Sequence, residues 1–152
     1  MSQTVVSESG KTVLLATFYV RHALCALDAA GIQEVIRLGP VTPVRHAAAE
    51  VAGIVNLRGK IVTILDLGLR LGFPAASPGR EARVFIMEDR NEFVGLLVDR
   101  VDEVVEADAG QWAPLPSNLS FVQARFFQGV CRIGDRVIAL LNPAEVLAER
   151  AT

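Results

Sequence analysis

Apolar side chains alternate with polar or small ones along most of the chain, with the two-residue period of a β-strand. In residues 12–20, for example, Leu14 and Phe18 fall on one face and Leu15 falls on the other. Similar short segments recur as far as residue 141, and turns rich in Gly, Pro, Asn and Asp separate them. The pattern therefore predicts an all-β protein built from many short strands.

Two short helices are also predicted. Asp66 is a suitable N-cap for a helix that ends at Gly72. Asn142 followed by a proline signals the start of a C-terminal helix over residues 143–150. The alanines of residues 45–52 favour one further helical turn. Helices are thus expected to be a minor part of the fold.

The chain contains an internal repeat. Residues 53–66 align without a gap with residues 129–142, and each segment consists of a glycine, a strand, a tight turn, a second strand and a capping residue. Upstream, residues 32–36 similarly resemble residues 101–105, and each of these follows a hairpin that ends near an aspartate. The repeat implies two related β units.

Two compact β-barrels are favoured over one open sheet, because short strands leave exposed edges that closure removes. Residues 75–82 contain Ser, Pro and Gly without apolar periodicity, which is typical of a linker between the halves. The predicted units are a first barrel over residues 12–75, a second barrel over 82–142, a C-terminal helix over 143–150 packed on the barrels, and a flexible N-terminus over 1–11.

The composition fits a globular protein of 152 residues, because 51% of the residues are hydrophobic and 21% are charged. A net charge of -2 argues against a nucleic-acid partner, since binding many phosphates needs a concentrated Lys/Arg surface. Residues 1–10 lack the features of a signal peptide, and the apolar run 137–141 is far shorter than the roughly 20 residues of a spanning helix. A cytoplasmic protein without direct membrane contact is expected.

The only two cysteines, Cys25 and Cys131, each lie in an apolar segment, where a small buried side chain is the ordinary use. We therefore expect two reduced thiols, and a disulfide is the less favoured alternative. Reduced thiols agree with a cytosolic location.

No catalytic or metal-binding set assembles along the sequence. His22 and His46 have no Cys or carboxylate at ligand spacing, and their positions at turns favour solvated imidazoles. No Gly-rich phosphate loop precedes a helix. We therefore predict a protein that is not an enzyme and binds no metal or cofactor. The alternative is a small-molecule-binding barrel with a pocket between the halves and a perturbed carboxylate such as Asp66 or Asp99.

The segment that surrounds Asn56-Leu57-Arg58-Gly59 carries a resemblance to a known family. Residues 51–67 read VAGIVNLRGKIVTILDL, which closely resembles the central signature of the CheW family of bacterial chemotaxis coupling proteins, roughly G-V-x-N-L-R-G-x-x-x-P-I-x-D-L. Thr63 stands where many members carry proline. The resemblance extends over about residues 13–149.

This resemblance implies two packed SH3-like five-stranded barrels and a scaffold without catalytic activity. Such a scaffold couples the cytoplasmic tips of chemoreceptors to the regulatory domain of the CheA histidine kinase, a two-component signalling protein, and is recruited to membrane-associated receptor arrays. Flagellar chemotaxis and a parallel chemosensory pathway that controls pili or a second messenger both remain open.

The resemblance also implies two contact surfaces. A groove between the barrels would take the helical hairpin tip of the receptor, with apolar contacts for affinity and an arginine for register. The matching receptor-binding positions are Ile32, Val35, Gly53, Asn56, Arg58, Gly95, Val101 and Val104. The kinase would meet another face of the first barrel, at Glu34, Val41 and Ile61.

Overall fold

The computed structural model describes residues 12–115 and 124–148, and in this part the chain is an all-β protein with two short α-helices and three single-turn 3-10 helices. The predicted flexible N-terminus and the end of the predicted C-terminal helix, residues 149 and 150, lie outside the described residues. The elements are β1 (Val13–Val20), β2 (Ala23–Asp28), β3 (Glu34–Arg37), β4 (Val51–Leu57), β5 (Lys60–Asp66), α1 (Leu67–Leu71), β6 (Arg83–Asp89), β7 (Glu92–Val98), β8 (Arg100–Ala107), β9 (Trp112–Ala113), β10 (Phe127–Ile133), β11 (Arg136–Leu141) and α2 (Pro143–Leu147).

Strand pairing divides the protein into two β-sheets. One sheet has five strands in the order β3-β6-β7-β5-β4, and we call it the continuous barrel because its residues, 34–98, are contiguous in the chain. The other has six strands in the order β8-β1-β2-β11-β10-β9, and we call it the split barrel because it combines residues 13–28 with residues 100–141. The predicted all-β fold of two packed barrels is confirmed.

The pairing corrects the predicted boundaries at residues 12–75 and 82–142. Strands β1 and β2 lie in the split barrel beside β8 and β11, and strands β6 and β7 complete the continuous barrel beside β3 and β5. The reason is that each repeat needs a further hairpin to complete its barrel, and the second repeat obtains that hairpin from the start of the chain. The predicted linker, residues 75–82, therefore joins α1 to β6 within one barrel.

Buried apolar residues form three clusters, one within each barrel and one between the barrels. The cluster of the split barrel contains Leu15, Ala26, Ala107, Cys131, Ile138 and Leu140. The cluster of the continuous barrel contains Val62, Ile64, Ala82, Val84, Ile86 and Leu97. The central cluster, which includes Phe18, Leu65, Phe85, Leu96 and Val146, joins the two sheets. Strand β7 buries every residue from Val94 to Val98 and so has both faces covered, which explains the apolar sequence of that stretch.

The internal repeat is present in the strand register. The β4–β5 and β10–β11 hairpins are equivalent, and Gly53 and Gly129 occupy the same place beside a register irregularity in each. Each hairpin leads into a short helix whose first turn is capped as predicted, by the side chains of Asp66 and Asn142. One supersecondary unit has thus been used twice.

Two local expectations change. Residues 45–52 form two tight turns in place of a helical turn, and β4 already begins at Val51. His46 has a φ of 65°, which lies outside the right-handed helical region and ends any helix there. At the C-terminus, α2 covers only Pro143–Leu147 among the described residues, and Ala148 has extended backbone angles.

Both cysteines are buried free thiols, and burial raises the pKa of Cys25 from 9.0 to about 12. The folded state thus favours the neutral thiol. The stabilisation that the protein gains from this preference is fully present below about pH 9 and is lost as the pH rises toward 12. Urea denaturation at a series of pH values gives the free energy of unfolding of the wild type and of Cys25→Ala. Above about pH 9 we expect this free energy to fall faster with pH in the wild type, and the two slopes to differ by on the order of 1 kcal/mol per pH unit. Parallel pH profiles would contradict this.

Candidate partner-binding surface

The tip of the β4–β5 hairpin carries the Asn-Leu-Arg-Gly signature. Arg58 and Gly59 both have a positive φ, 51° and 85°, as in the two-residue turns whose twist matches that of paired strands. The Asn56 side chain accepts a hydrogen bond from the Gly59 amide at 2.9 Å. Asn56 therefore holds the turn closed, and the Arg58 side chain projects from it with 69% of its surface exposed.

An ion pair links Arg58 to Glu34 of β3. Strands β3 and β4 are the two ends of the strand order in the continuous barrel, so the pair spans the opening between them. The hydrogen bond to Glu34, together with the attraction of its carboxylate, raises the pKa of the Arg58 guanidinium. Because the guanidinium is exposed, the pair contributes little to stability and chiefly fixes the position of the positive charge.

A cavity of about 320 Å³ opens beside this ion pair. Its wall consists of Gln33, Glu34, Leu57, Arg58, Lys60, Val62, Ile86 and Phe93. Lys60 places its Nζ 4.5 Å from the centre of the Phe93 ring. We call this opening, which is lined by both charged and apolar side chains, the mouth of the continuous barrel.

Two exposed apolar side chains lie next to the residues of this mouth. Val35 of β3 is 48% exposed and Ile61 of β5 is 59% exposed. Large apolar groups left in water at a rim of charged residues are typical of protein contact surfaces. The structure thus places Glu34 and Arg58 in the mouth, and Val35 and Ile61 next to it in sequence but on the outer face of their strands. Glu34 and Ile61 were predicted to contact the kinase, and Val35 and Arg58 the receptor.

Two of the predicted receptor-binding residues, Gly53 and Gly95, are buried. At Gly53 a Cβ atom would lie 2.5 Å from Cγ1 of Val41, the third predicted kinase contact, which is itself partly buried. At Gly95 a Cβ atom would lie 2.5 Å from Cγ1 of Val84 within the continuous barrel. Both glycines therefore act through packing, because they offer no surface to a partner.

The remaining predicted receptor contacts extend onto the split barrel. Val101 and Val104 are exposed on β8, and Ile32, just before β3, packs partly buried against the central cluster. The set therefore involves both barrels, as a groove between them requires. Direct contact of these residues with a receptor stays a prediction.

Sequence reasoning missed a second charged surface, on the split barrel. Arg136 of β11 forms ion pairs with Asp102 and Glu103 of β8, both at 2.6 Å. Val137, next to Arg136, is 54% exposed. The repeat could have revealed this surface, because it aligns Arg136 with Lys60 and exposed Val137 with exposed Ile61.

The carboxylates that a small-molecule site would use have structural partners. Asp66 accepts a hydrogen bond from the Leu69 amide at 3.2 Å as the cap of α1. Asp99 forms an ion pair with Arg21 at 3.1 Å, beside the β7–β8 connection. Within residues 12–115 and 124–148, no group of three His, Cys, Asp or Glu side chains is placed to hold a metal ion. No helix in the same residues has the length and apolarity needed to cross a membrane.

The fold and the exposed surface define a protein-binding module made of two packed β-barrels. The chain belongs to the CheW-like domain family, whose family model matches residues 15–151. Over 128 residues it is 32% identical to the chemotaxis protein CheW of Rhizobium meliloti (strain 1021), with 84% of this chain and 83% of the relative covered.

Two further comparisons agree. The chain is 28% identical over 149 residues to the probable chemotaxis protein CheW of Rhizobium etli, with 98% of this chain and 96% of the relative covered. The crystal structure of the scaffolding protein TtCheW from Thermoanaerobacter tengcongensis matches with a TM-score of 0.80 and 27% identity, over 87% of this chain and 90% of that one. The resemblance carried by residues 51–67 is thereby confirmed.

Proposed function

We propose that this chain is a non-catalytic scaffold that couples chemoreceptors to a CheA-type histidine kinase in bacterial chemotaxis signalling. The observation that carries the proposal is the mouth of the continuous barrel, where exposed Val35 and Ile61 adjoin the Arg58–Glu34 ion pair. Apolar side chains around a fixed charge suit contact with another protein. The similarity to relatives named chemotaxis protein CheW, and to a solved structure of a scaffolding protein, supports the same role.

The kinase contact uses the end of the continuous barrel. Glu34 lines the mouth, Ile61 is exposed next to Lys60 on β5, and Val41 packs against Gly53 of β4. The apolar area of Ile61 supplies affinity when it is buried, and the carboxylate of Glu34 restricts which partners fit. The regulatory domain of the kinase is the partner that we assign to this surface.

The receptor contact uses residues of both barrels. Exposed Val35, Val101 and Val104 provide apolar area for one face of a helical hairpin, and Arg58 supplies a guanidinium that can bind polar groups of that hairpin. These contacts would recruit the chain to receptor arrays at the membrane.

Arg58→Ala is expected to weaken binding of a receptor cytoplasmic tip by about tenfold, because the charge that fixes the register of the helix is removed. The thermal transition is expected to move by less than about 2 °C, since the exposed ion pair adds little stability. Arg90→Ala is a matched control, because Arg90 is exposed, has a positive φ in another hairpin turn and pairs with its neighbour Asp89.

Two measurements check this proposal. Titration of the wild type and both variants with the receptor tip gives the affinities, and a reconstituted assay gives receptor-dependent kinase activity with and without the scaffold. The proposal fails if the wild type binds neither the receptor tip nor the kinase regulatory domain. A large drop in the melting temperature of Arg58→Ala would show instead that Arg58 is a structural residue.

A further inference from the structure

The strand register allows the two barrel mouths to be compared residue by residue. The β1–β2 hairpin takes the place of β6–β7, and β8 takes the place of β3, so that Val104 opposite Ala16 corresponds to Val35 opposite Phe85. The hairpins β4–β5 and β10–β11 correspond in the same way. The pairs of equivalent residues at the mouths are Gln33 with Asp102, Glu34 with Glu103, Lys60 with Arg136, and Ile61 with Val137.

In the split barrel, the cation of this arrangement is fully paired. Arg136 donates hydrogen bonds to both Asp102 and Glu103 at 2.6 Å, and these bonds raise the pKa of the guanidinium. A cation at this position of the barrel can therefore pair with two carboxylates of the same chain. The mouth of the split barrel is defined by Asp102, Glu103 and Arg136, and Arg100 adjoins it with its guanidinium 4.0 Å from Asp102, so the charges of this cluster balance.

In the continuous barrel, the equivalent cation is left without a carboxylate. Gln33 stands where the split barrel has Asp102, and Glu34 is engaged by Arg58. No salt bridge to Lys60 is formed in the part of the chain that the structure describes, and its ammonium lies over the ring of Phe93. The mouth of the continuous barrel thus carries one more positive than negative charge.

The space next to Lys60 is open. The cavity of about 320 Å³ is lined by the polar side chains of Gln33 and Lys60, by fully buried Val62 and by partly buried Phe93. A water molecule takes about 30 Å³ in the liquid, so this volume can admit a side chain of several atoms. An aliphatic stem ending in a carboxylate would match both the apolar wall and the surplus positive charge.

We propose that Lys60 is a specificity residue that binds a carboxylate side chain of the kinase partner, received in the mouth of the continuous barrel. The partner thereby supplies the group that Asp102 supplies within the split barrel. Because Gln33 has no carboxylate, the site is open to a group from the partner. Ile61, exposed on the other face of β5, adds apolar contact area on the barrel surface next to it. This inference rests on the proposed function, because the kinase regulatory domain is the assumed partner.

The test measures affinity for the kinase regulatory domain in a set of variants. Lys60→Glu is expected to weaken binding by about 30-fold or more, and Lys60→Arg to stay within about threefold of the wild type. Gln33→Asp keeps the lysine but supplies an internal carboxylate, and a loss of about tenfold is expected because Lys60 is then already paired. The penalties are expected to shrink in 1 M salt compared with 0.1 M salt.

Arg80→Glu is the control, because Arg80 is an exposed cation in the segment between α1 and β6, away from the mouth; its affinity is expected to stay within twofold of the wild type. If the wild type binds the kinase domain but Lys60→Glu and Gln33→Asp bind equally well, this inference is overturned and the proposed function stands. If the wild type does not bind the kinase domain, the proposed function and this inference both fail.

Discussion

Replacing Arg70 with methionine is expected to lower the free energy of unfolding by about 4 kcal/mol. Arg70 lies on α1, is almost fully buried and forms an ion pair with Glu50 at 3.1 Å. Removal of one member of a buried pair is costly because the other charge keeps its desolvation penalty without its partner. Glu50 retains some contact with solvent, so this pair accounts for only part of the loss.

The rest of the loss comes from α2. Arg70 donates hydrogen bonds to the carbonyls of Val146 at 3.0 Å and Glu145 at 3.3 Å, and to the carbonyl of Ala148. Carbonyls at the end of a helix lack the amide four residues further on as a partner, so methionine would remove hydrogen bonds that help to satisfy them. The Glu145 carbonyl would keep only its bond from the Ala148 amide. Because α1 follows β5 of the continuous barrel and α2 follows β11 of the split barrel, Arg70 also ties the two barrels together.

Urea denaturation followed by circular dichroism and by the fluorescence of Trp112 would measure the loss in both barrels. Arg90→Met is the control, because Arg90 is exposed in a hairpin turn and its removal is expected to change the free energy of unfolding by less than about 0.5 kcal/mol. A loss below about 1 kcal/mol for Arg70→Met would contradict the inference that the contacts of Arg70 hold the two barrels together.

Much of the fold was predictable from local sequence. The hairpin turns at Arg58-Gly59 and Gly134-Asp135, and the helix caps Asp66 and Asn142, depend on backbone angles and hydrogen bonds between residues close in the chain. Such local chemistry can be recognised from residue types and their spacing. The two repeated units followed from the same signals.

The assignment of strands to barrels was not predictable in the same way. Parallel pairing of β2 with β11 joins residues from the two ends of the chain, and no turn between them fixes the register. The strands of the central cluster are apolar on both faces, so alternation does not show which sheet they enter. A contiguous division of the chain was therefore the simplest expectation, and it was wrong.

For the candidate surface, the resemblance supplied positions and the structure supplied physical roles. The Arg58–Glu34 ion pair joins residues far apart in the chain, which only the closed barrel brings together. Exposed Val35 and Ile61 could not be separated by sequence from the buried valines and isoleucines of neighbouring strands. Gly53 was expected to touch a partner, and the structure buries it.

The repeat explains why Gly53 is glycine. Thr42 forms an isolated bridge to β4 beside Gly53, and Ala113 of β9 pairs with β10 beside the equivalent Gly129. A Cβ atom at Gly53 would lie 2.4 Å from the carbonyl oxygen of Thr42, and one at Gly129 would lie 2.6 Å from that of Ala113. In both barrels a neighbouring segment of backbone therefore lies too close to this glycine for any side chain to fit.

Gly53→Ala is expected to lower the free energy of unfolding by about 4 kcal/mol, and Gly129→Ala by about 2 kcal/mol. Both variants force a Cβ atom against a backbone carbonyl, but Gly53 also has a φ of 147°, which side-chain-bearing residues rarely adopt. Gly59→Ala, with a φ of 85° and open space around it, isolates the backbone strain and is expected to cost about 1 kcal/mol. Urea denaturation of the three variants ranks their losses in the free energy of unfolding. If Gly129→Ala loses no more than Gly59→Ala, the close contact with the backbone carbonyl is not the reason for glycine at this position.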